Sequence, residues 1–157
     1  MTERSINHAS FVITRHYPAA PAQVFQAFAD TVIRRRWFIE GEGWTVDEFT
    51  ADFAEGGRER SRFRFGADTP MSNDTVYHEI LPNQRIVFSY AMTIGGKRIS
   101  VSLATIEITA EGTGTRLVYT EQAAFLDGAD RPADREAGSR ELLEALAAEL
   151  GRQPAGA

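Results

Sequence analysis

The chain predicts an α+β fold: a curved antiparallel sheet of about seven strands wrapped around a long C-terminal helix, with two short helices after the first strand. Three observations carry this. An alternating β-rich run up to Tyr17 meets Pro18 and Pro21 and passes straight into an apolar-faced helical segment. Six further strand-like runs follow, separated by glycine-rich or polar turns. After residue 132 the apolar period changes from two to that of a helix, with Leu142, Leu143, Leu146 and Leu150 on one stripe.

Taken in order, the first strand is expected over 9–17, with Phe11 and Ile13 on one side and Val12 on the other. Pro21 suits the first turn of a helix, where its missing N–H has no partner to lose. Val24, Phe25 and Phe28 share one face of that helix, and Gln23 and Gln26 are expected to face water. Asp30 reads as the N-cap of a second short helix carrying Arg34-Arg35-Arg36 and ending at Trp37-Phe38. The arginine triplet is expected on a solvated face, and the other role open to it is attraction of an anion or acidic partner.

Strands are then expected over 44–53 and 58–65, joined through Gly56-Gly57, where glycine permits positive φ. In the second of these, Arg58, Arg60, Arg62 and Arg64 alternate with Glu59, Ser61, Phe63 and Phe65, which places the arginines outside and Glu59 on the concave face. Residues 66–74 read as a polar loop. Strands over 75–81 and 85–92 form a hairpin around Pro82-Asn83-Gln84, with Ile86, Phe88, Tyr90 and Met92 on one side. Gly95-Gly96 leads into a strand over 98–109, and Glu111-Gly112-Thr113-Gly114 turns back into one over 115–123. In the last helix Arg140, Glu141, Glu144 and Glu149 are expected on the surface, Gly151 ends the helix and Pro154 follows. There is no internal repeat or linker, so residues 1–157 are expected to form a single domain.

Composition removes several functions. With no cysteine there is no disulfide, thiolate metal site or cysteine nucleophile. A net charge of −5 speaks against nonspecific nucleic-acid binding, which needs a basic surface. No apolar run is long enough for a membrane span, and the first residues lack an apolar signal core, so a cytoplasmic protein is expected. His8, His16 and His78 are the only histidines and show no metal-ligand spacing, so no metal is expected. Neither a nucleophile elbow nor a phosphate loop is present, and no cofactor is expected.

The segment Tyr17-Pro18-Ala19-Ala20-Pro21-Ala22-Gln23-Val24-Phe25, with Trp37-Phe38, resembles the START-like (SRPBCC) superfamily. Within it the chain is similar to bacterial homologues of the C-terminal domain of the heat-shock protein 90 ATPase activator. The blocks Asp52-Phe53-Ala54-Glu55-Gly56-Gly57, Glu79-Ile80-Leu81-Pro82-Asn83-Gln84-Arg85-Ile86-Val87 and Gly112-Thr113-Gly114-Thr115-Arg116-Leu117 support this. The run 119–128, with Arg135, Gly138 and Leu142-Leu143, looks like one bacterial subgroup. The resemblance implies a helix-grip fold with a cavity between sheet and helix. Many relatives place Gly-Trp at the start of the last helix, whereas here Ser139 follows Gly138, implying more room at one cavity mouth. The additional domain of the eukaryotic activator has no counterpart in these residues, so activation of a chaperone is not implied.

The expected function is binding of a small hydrophobic or amphipathic molecule, with Trp37, Phe63, Phe65, Phe88, Tyr90 and Met92 among the cavity residues. Tyr119, Glu121, Leu142 and Leu146 complete the set. Glu121 alternates with Leu117 and Tyr119 and so points inward, where a carboxylate must be paired or neutralised. A structural pairing with Arg135 or the 124–127 loop is favoured; the alternative is acid–base work in a cyclase- or hydrolase-like reaction. A third class is a chaperone-linked or stress-related interaction module contacting partners through its arginines. Binding is favoured over catalysis, and the oligomeric state is expected to be a monomer or weak homodimer, the latter through an edge strand at 44–53.

Overall fold

The computed structural model describes residues 4–153. The element order is strand, two helices, six strands, helix: β1 (Ile6–Tyr17), α1 (Pro21–Ala29), α2 (Thr31–Phe38), β2 (Trp44–Ala51), β3 (Arg58–Phe65), β4 (Met71–Leu81), β5 (Arg85–Ile94), β6 (Lys97–Glu111), β7 (Gly114–Leu126) and α3 (Pro132–Arg152). All seven strands form one antiparallel sheet in the order β1-β7-β6-β5-β4-β3-β2. The long helix α3 packs on its concave face through Leu143, Leu146 and Leu150. This is the α+β helix-grip arrangement expected from the sequence.

Local chemistry explains the joints. Pro21 starts α1, and the Asp30 carboxylate accepts from the backbone N–H groups of Val32 and Ile33 at 2.9 and 3.1 Å, capping α2. Gly56 takes φ +81, but Gly57 is needed for a different reason: a Cβ there would collide with the carbonyl oxygen of Asp52. Two side chains tie β1 and β7 to the helical layer. The Tyr17 hydroxyl donates to the Leu143 carbonyl at 2.9 Å, and the Thr115 hydroxyl donates to the Ala19 carbonyl at 2.6 Å.

Several expectations need correction. The loop over 66–74 is shorter, because Met71 to Asp74 already pair with β3 and β5 and belong to β4. The polar side chains of Ser72, Asn73 and Asp74 disguised a strand whose ladder bonds, not its side chains, hold it in the sheet. The first strand begins three residues earlier than expected, at Ile6, through pairing with β7. Gln23 is buried instead of facing water. The last helix runs one residue past Gly151, to Arg152. Pro154, expected after it, lies outside the described residues. No helix among the described residues is long and apolar enough to cross a membrane.

Candidate functional site

Between the sheet and α3 lies a cavity of about 510 Å³. Its wall takes Phe63 from β3, Asn73 and Thr75 from β4, and Phe88, Tyr90 and Met92 from β5. Trp37 of α2, Tyr119 of β7 and Leu142 of α3 close the other sides. Alternation explains the selection: residues two apart on each strand point to the same face. Trp37 is fixed edge-on against Phe28, with ring centroids 5.1 Å apart, and its indole N–H donates to the Ala27 carbonyl at 2.9 Å.

Three expected cavity residues are placed otherwise. Phe65 is 46% exposed and lies edge-on to Trp44, with ring centroids 5.1 Å apart, outside the wall. Pairing of β3 with β4 reaches only Phe63↔Met71, so Phe65 extends beyond the concave floor and has only β2 beside it. Leu146 is fully buried in the packing beneath α3 and does not border the cavity. Glu121 is fully buried too, one layer behind the wall formed by Tyr90 and Tyr119.

Two buried ionic clusters flank the cavity. In the first, Arg34 is only 6% exposed, contrary to the solvated face expected for it. A helix of eight residues lying on a sheet must bury one face, and Arg34 shares that face with Trp37. Its guanidinium donates to both oxygens of Glu59, Nε at 3.0 Å and Nη2 at 3.2 Å, while the Tyr77 hydroxyl donates to the same carboxylate at 3.0 Å. The guanidinium carbon sits 3.9 Å from the Phe38 ring centroid and 5.1 Å from that of Trp37. Burial alone would lower the Arg34 pKa, but Glu59 and Tyr77 together raise it, so the guanidinium stays charged. The alternation in β3 revealed an inward Glu59; nothing local to the arginine triplet says which arginine turns to meet it.

The second cluster centres on Glu121. It accepts hydrogen bonds from the hydroxyls of Tyr90 and Ser102 at 2.7 Å each and of Tyr119 at 2.6 Å. Arg135, from the first turns of α3, donates to it at 3.3 Å and also to Asp130 at 2.8 Å and Ser100 at 2.7 Å. The pairing with Arg135 is the structural role favoured from sequence. Burial, then the neighbouring carboxylate, raises the Tyr90 phenol; burial, then Tyr90 and Glu121, raises that of Tyr119. Both phenols therefore remain protonated donors at neutral pH.

A third carboxylate binds the helices together. Glu149, expected on the surface, is 2% exposed. It accepts from Arg36 of α2 at 3.2 Å, from Arg152 at 3.1 Å and from Gln153 at 3.2 Å. Burial pushes its pKa up, but these donors outweigh burial and bring it from 4.5 to about 2. A depressed carboxylate stabilises the fold above its unfolded pKa and loses that contribution as pH falls through the folded value. Glu149→Gln is expected to be less stable than the parent at pH 7, with the gap narrowing between pH 4.5 and 2. Urea midpoints measured across that range check this, and a constant gap contradicts it.

The outer arginines are largely matched by acids. Arg60 pairs with Asp74, Arg62 with Glu48 and Arg64 with Asp47. His16 meets Glu111 and His78 meets Ser89, and no group of three His, Asp or Glu among the described residues could hold a metal ion.

A seven-stranded antiparallel sheet gripping a C-terminal helix, with two short helices closing one end of a cavity, defines the START-like class. Residues 18–151 match the model of the activator of Hsp90 ATPase homolog 1-like family, and the chain belongs to that family. The Mll3558 protein of Rhizobium loti is 52% identical over 92% of this chain and 99% of its own, with a TM-score of 0.86. An uncharacterised protein of Rhizobium leguminosarum is 39% identical over 97% and 100% of the two chains, with a TM-score of 0.90. CalU16 of Micromonospora echinospora shares the fold at 20% identity and a TM-score of 0.62, covering 97% of this chain and 87% of its own. No curated protein matches the chain.

Proposed function

We propose that this protein binds a small hydrophobic or amphipathic molecule between the sheet and α3. The observation that carries the proposal is the cavity itself: about 510 Å³, with a mainly apolar wall of aromatic and aliphatic side chains and with charged side chains, among them Glu40, Glu42, Asp134 and Glu141, also along it. Small-molecule sites fall in the range of about 300–1,000 Å³ and share that mixed but mainly apolar lining. The paired charges around it favour binding over turnover. Glu121, the candidate acid–base group, is held behind the wall by three hydroxyls and Arg135, and both tyrosine phenols are pushed away from the range useful for proton transfer at neutral pH. Matching of the β3 arginines by acids likewise weakens the case for an arginine-mediated partner surface.

The test uses Gly138, which borders the cavity and where an added Cβ would meet nothing within 4 Å. Its backbone is helical, so a larger residue fits the main chain and gains helix propensity. N-phenyl-1-naphthylamine is expected to bind the parent protein with a rise in fluorescence, and Gly138→Trp is expected to weaken that binding by roughly tenfold or more while leaving the fold intact. Equal binding by the two proteins, or none by the parent, contradicts the proposal.

A further inference from the structure

Most neutral polar side chains in the cavity wall already have a polar neighbour. The Tyr90 and Tyr119 hydroxyls donate to Glu121, and the Trp37 indole donates to the Ala27 carbonyl. Ser139 stands beside the Tyr119 hydroxyl. Thr75 is the exception. It is 5% exposed, yet its hydroxyl meets no hydrogen-bond partner among the described residues. Its neighbours across the sheet explain this. Glu59 on β3 has its oxygens taken by Arg34 and Tyr77, and the Tyr90 hydroxyl on β5 turns to Glu121. A buried hydroxyl proton with no acceptor is unfavourable, and a valine would fill the same space without that cost.

The unpartnered side-chain atoms sealed from water are Arg15 Nε, Glu48 Oε1 and Asn73 Oδ1, and the Thr75 hydroxyl is not one of them. Its open side therefore faces the cavity that it lines. The Asn73 amide follows on the same face of β4. Its oxygen is sealed inside the wall, so the nitrogen is the end turned to the cavity. β4 thus offers the cavity an O–H and an N–H donor with no protein acceptor to receive them.

The charges along the wall decide what kind of acceptor fits. Both lining arginines are answered by carboxylates. Five carboxylates also line the cavity, of which Glu42 and Glu141 have no ion-pair partner among the described residues, whereas Glu40, Asp130 and Asp134 do. An anionic acceptor would find no unmatched cation here and would face these acids.

We infer that Thr75 is a specificity-determining residue of the cavity, and that the ligand is a mainly apolar or aromatic molecule bearing a neutral carbonyl group that accepts the Thr75 hydroxyl proton. This rests on the binding function proposed above.

Calorimetric titration with a matched pair tests it. 2-Acetonaphthone and 2-isopropenylnaphthalene share a shape, but only the ketone accepts a hydrogen bond. Thr75→Val removes the hydroxyl and keeps the side-chain shape. It is expected to lower the affinity for the ketone, relative to the alkene, by roughly fivefold. Thr75→Ala, which adds no new branch, makes the same comparison independently, and Thr75→Ser is expected to keep the parent ratio. The Tm of Thr75→Val is expected to equal or exceed that of the parent, since no hydrogen bond of the fold is lost. In the parent protein at pH 7 the ketone is expected to bind more tightly than 2-naphthoate. An unchanged ketone-to-alkene ratio in both hydroxyl-free variants, a clear fall in Tm, or a preference for the naphthoate overturns the assignment of Thr75 while leaving cavity binding in place. The comparison with naphthoate needs no variant to fold. Failure of all three compounds and of N-phenyl-1-naphthylamine overturns both readings.

Discussion

Arg34→Met is expected to destabilise the protein by about 3–5 kcal/mol, because it leaves the Glu59 carboxylate buried without its cation. In a domain of this length that corresponds to a fall in Tm on the order of 10 °C. Glu59 is 2% exposed and keeps only the Tyr77 hydroxyl once the guanidinium is gone. The loss reaches beyond one pair. Arg34 is the bond between α2 and β3, and its guanidinium fills the space between Glu59 and the Phe38 and Trp37 rings. Removing Glu59 as well, in Arg34→Met with Glu59→Leu, is expected to cost less than the sum of the single changes, since neither charge is then stranded. Thermal melts of the four proteins check this. A surface arginine would change stability by no more than about 0.5 kcal/mol, so a near-unchanged Tm in Arg34→Met contradicts the buried pair.

Glu121→Leu is expected to have an effect of similar size, about 3–5 kcal/mol, for a related reason. Arg135 retains Asp130, but the hydroxyls of Tyr90, Ser102 and Tyr119 all lose the acceptor they share. Both tyrosines are cavity wall, so their release also disturbs the shape of the site. Glu121→Gln keeps one acceptor oxygen and is expected to cost less, about 1–3 kcal/mol. The pair of variants therefore grades the network: chemical denaturation should place Gln between the parent and Leu. If Leu proves as stable as the parent, the carboxylate does not organise this end of the cavity.

Much of the architecture was legible because it depends on period and punctuation. The alternation in β3 placed Glu59 and Phe63 inward, and Leu143, Leu146 and Leu150 marked the helix face that meets the sheet. What was hidden depends on partners distant in sequence. Arg34 looks like its two neighbours until β3 brings Glu59 to it, and Glu149 looks like any surface acid until α2 supplies Arg36. Phe65 follows the same alternation as Phe63, but only the end of the β3–β4 pairing reveals that the floor stops between them.

The start of β4 was hidden for a different reason. The polar string Ser72-Asn73-Asp74 reads as a loop, and its strand character comes from ladder bonds that composition does not record. A signal was nonetheless present: Met71, Asn73, Thr75 and Tyr77 keep a period of two that continues the inward face of β4. Three polar residues in a row mask that period, so Asn73 is legible as a wall residue only once the pairing of β4 with β5 is known.

A crystal structure of the protein grown with N-phenyl-1-naphthylamine tests the account most directly. The naphthalene ring is predicted between the sheet and α3, against Phe88, Tyr119 and Leu142. A ring bound elsewhere on the protein, or a cavity closed by its own side chains with the compound excluded, would contradict it.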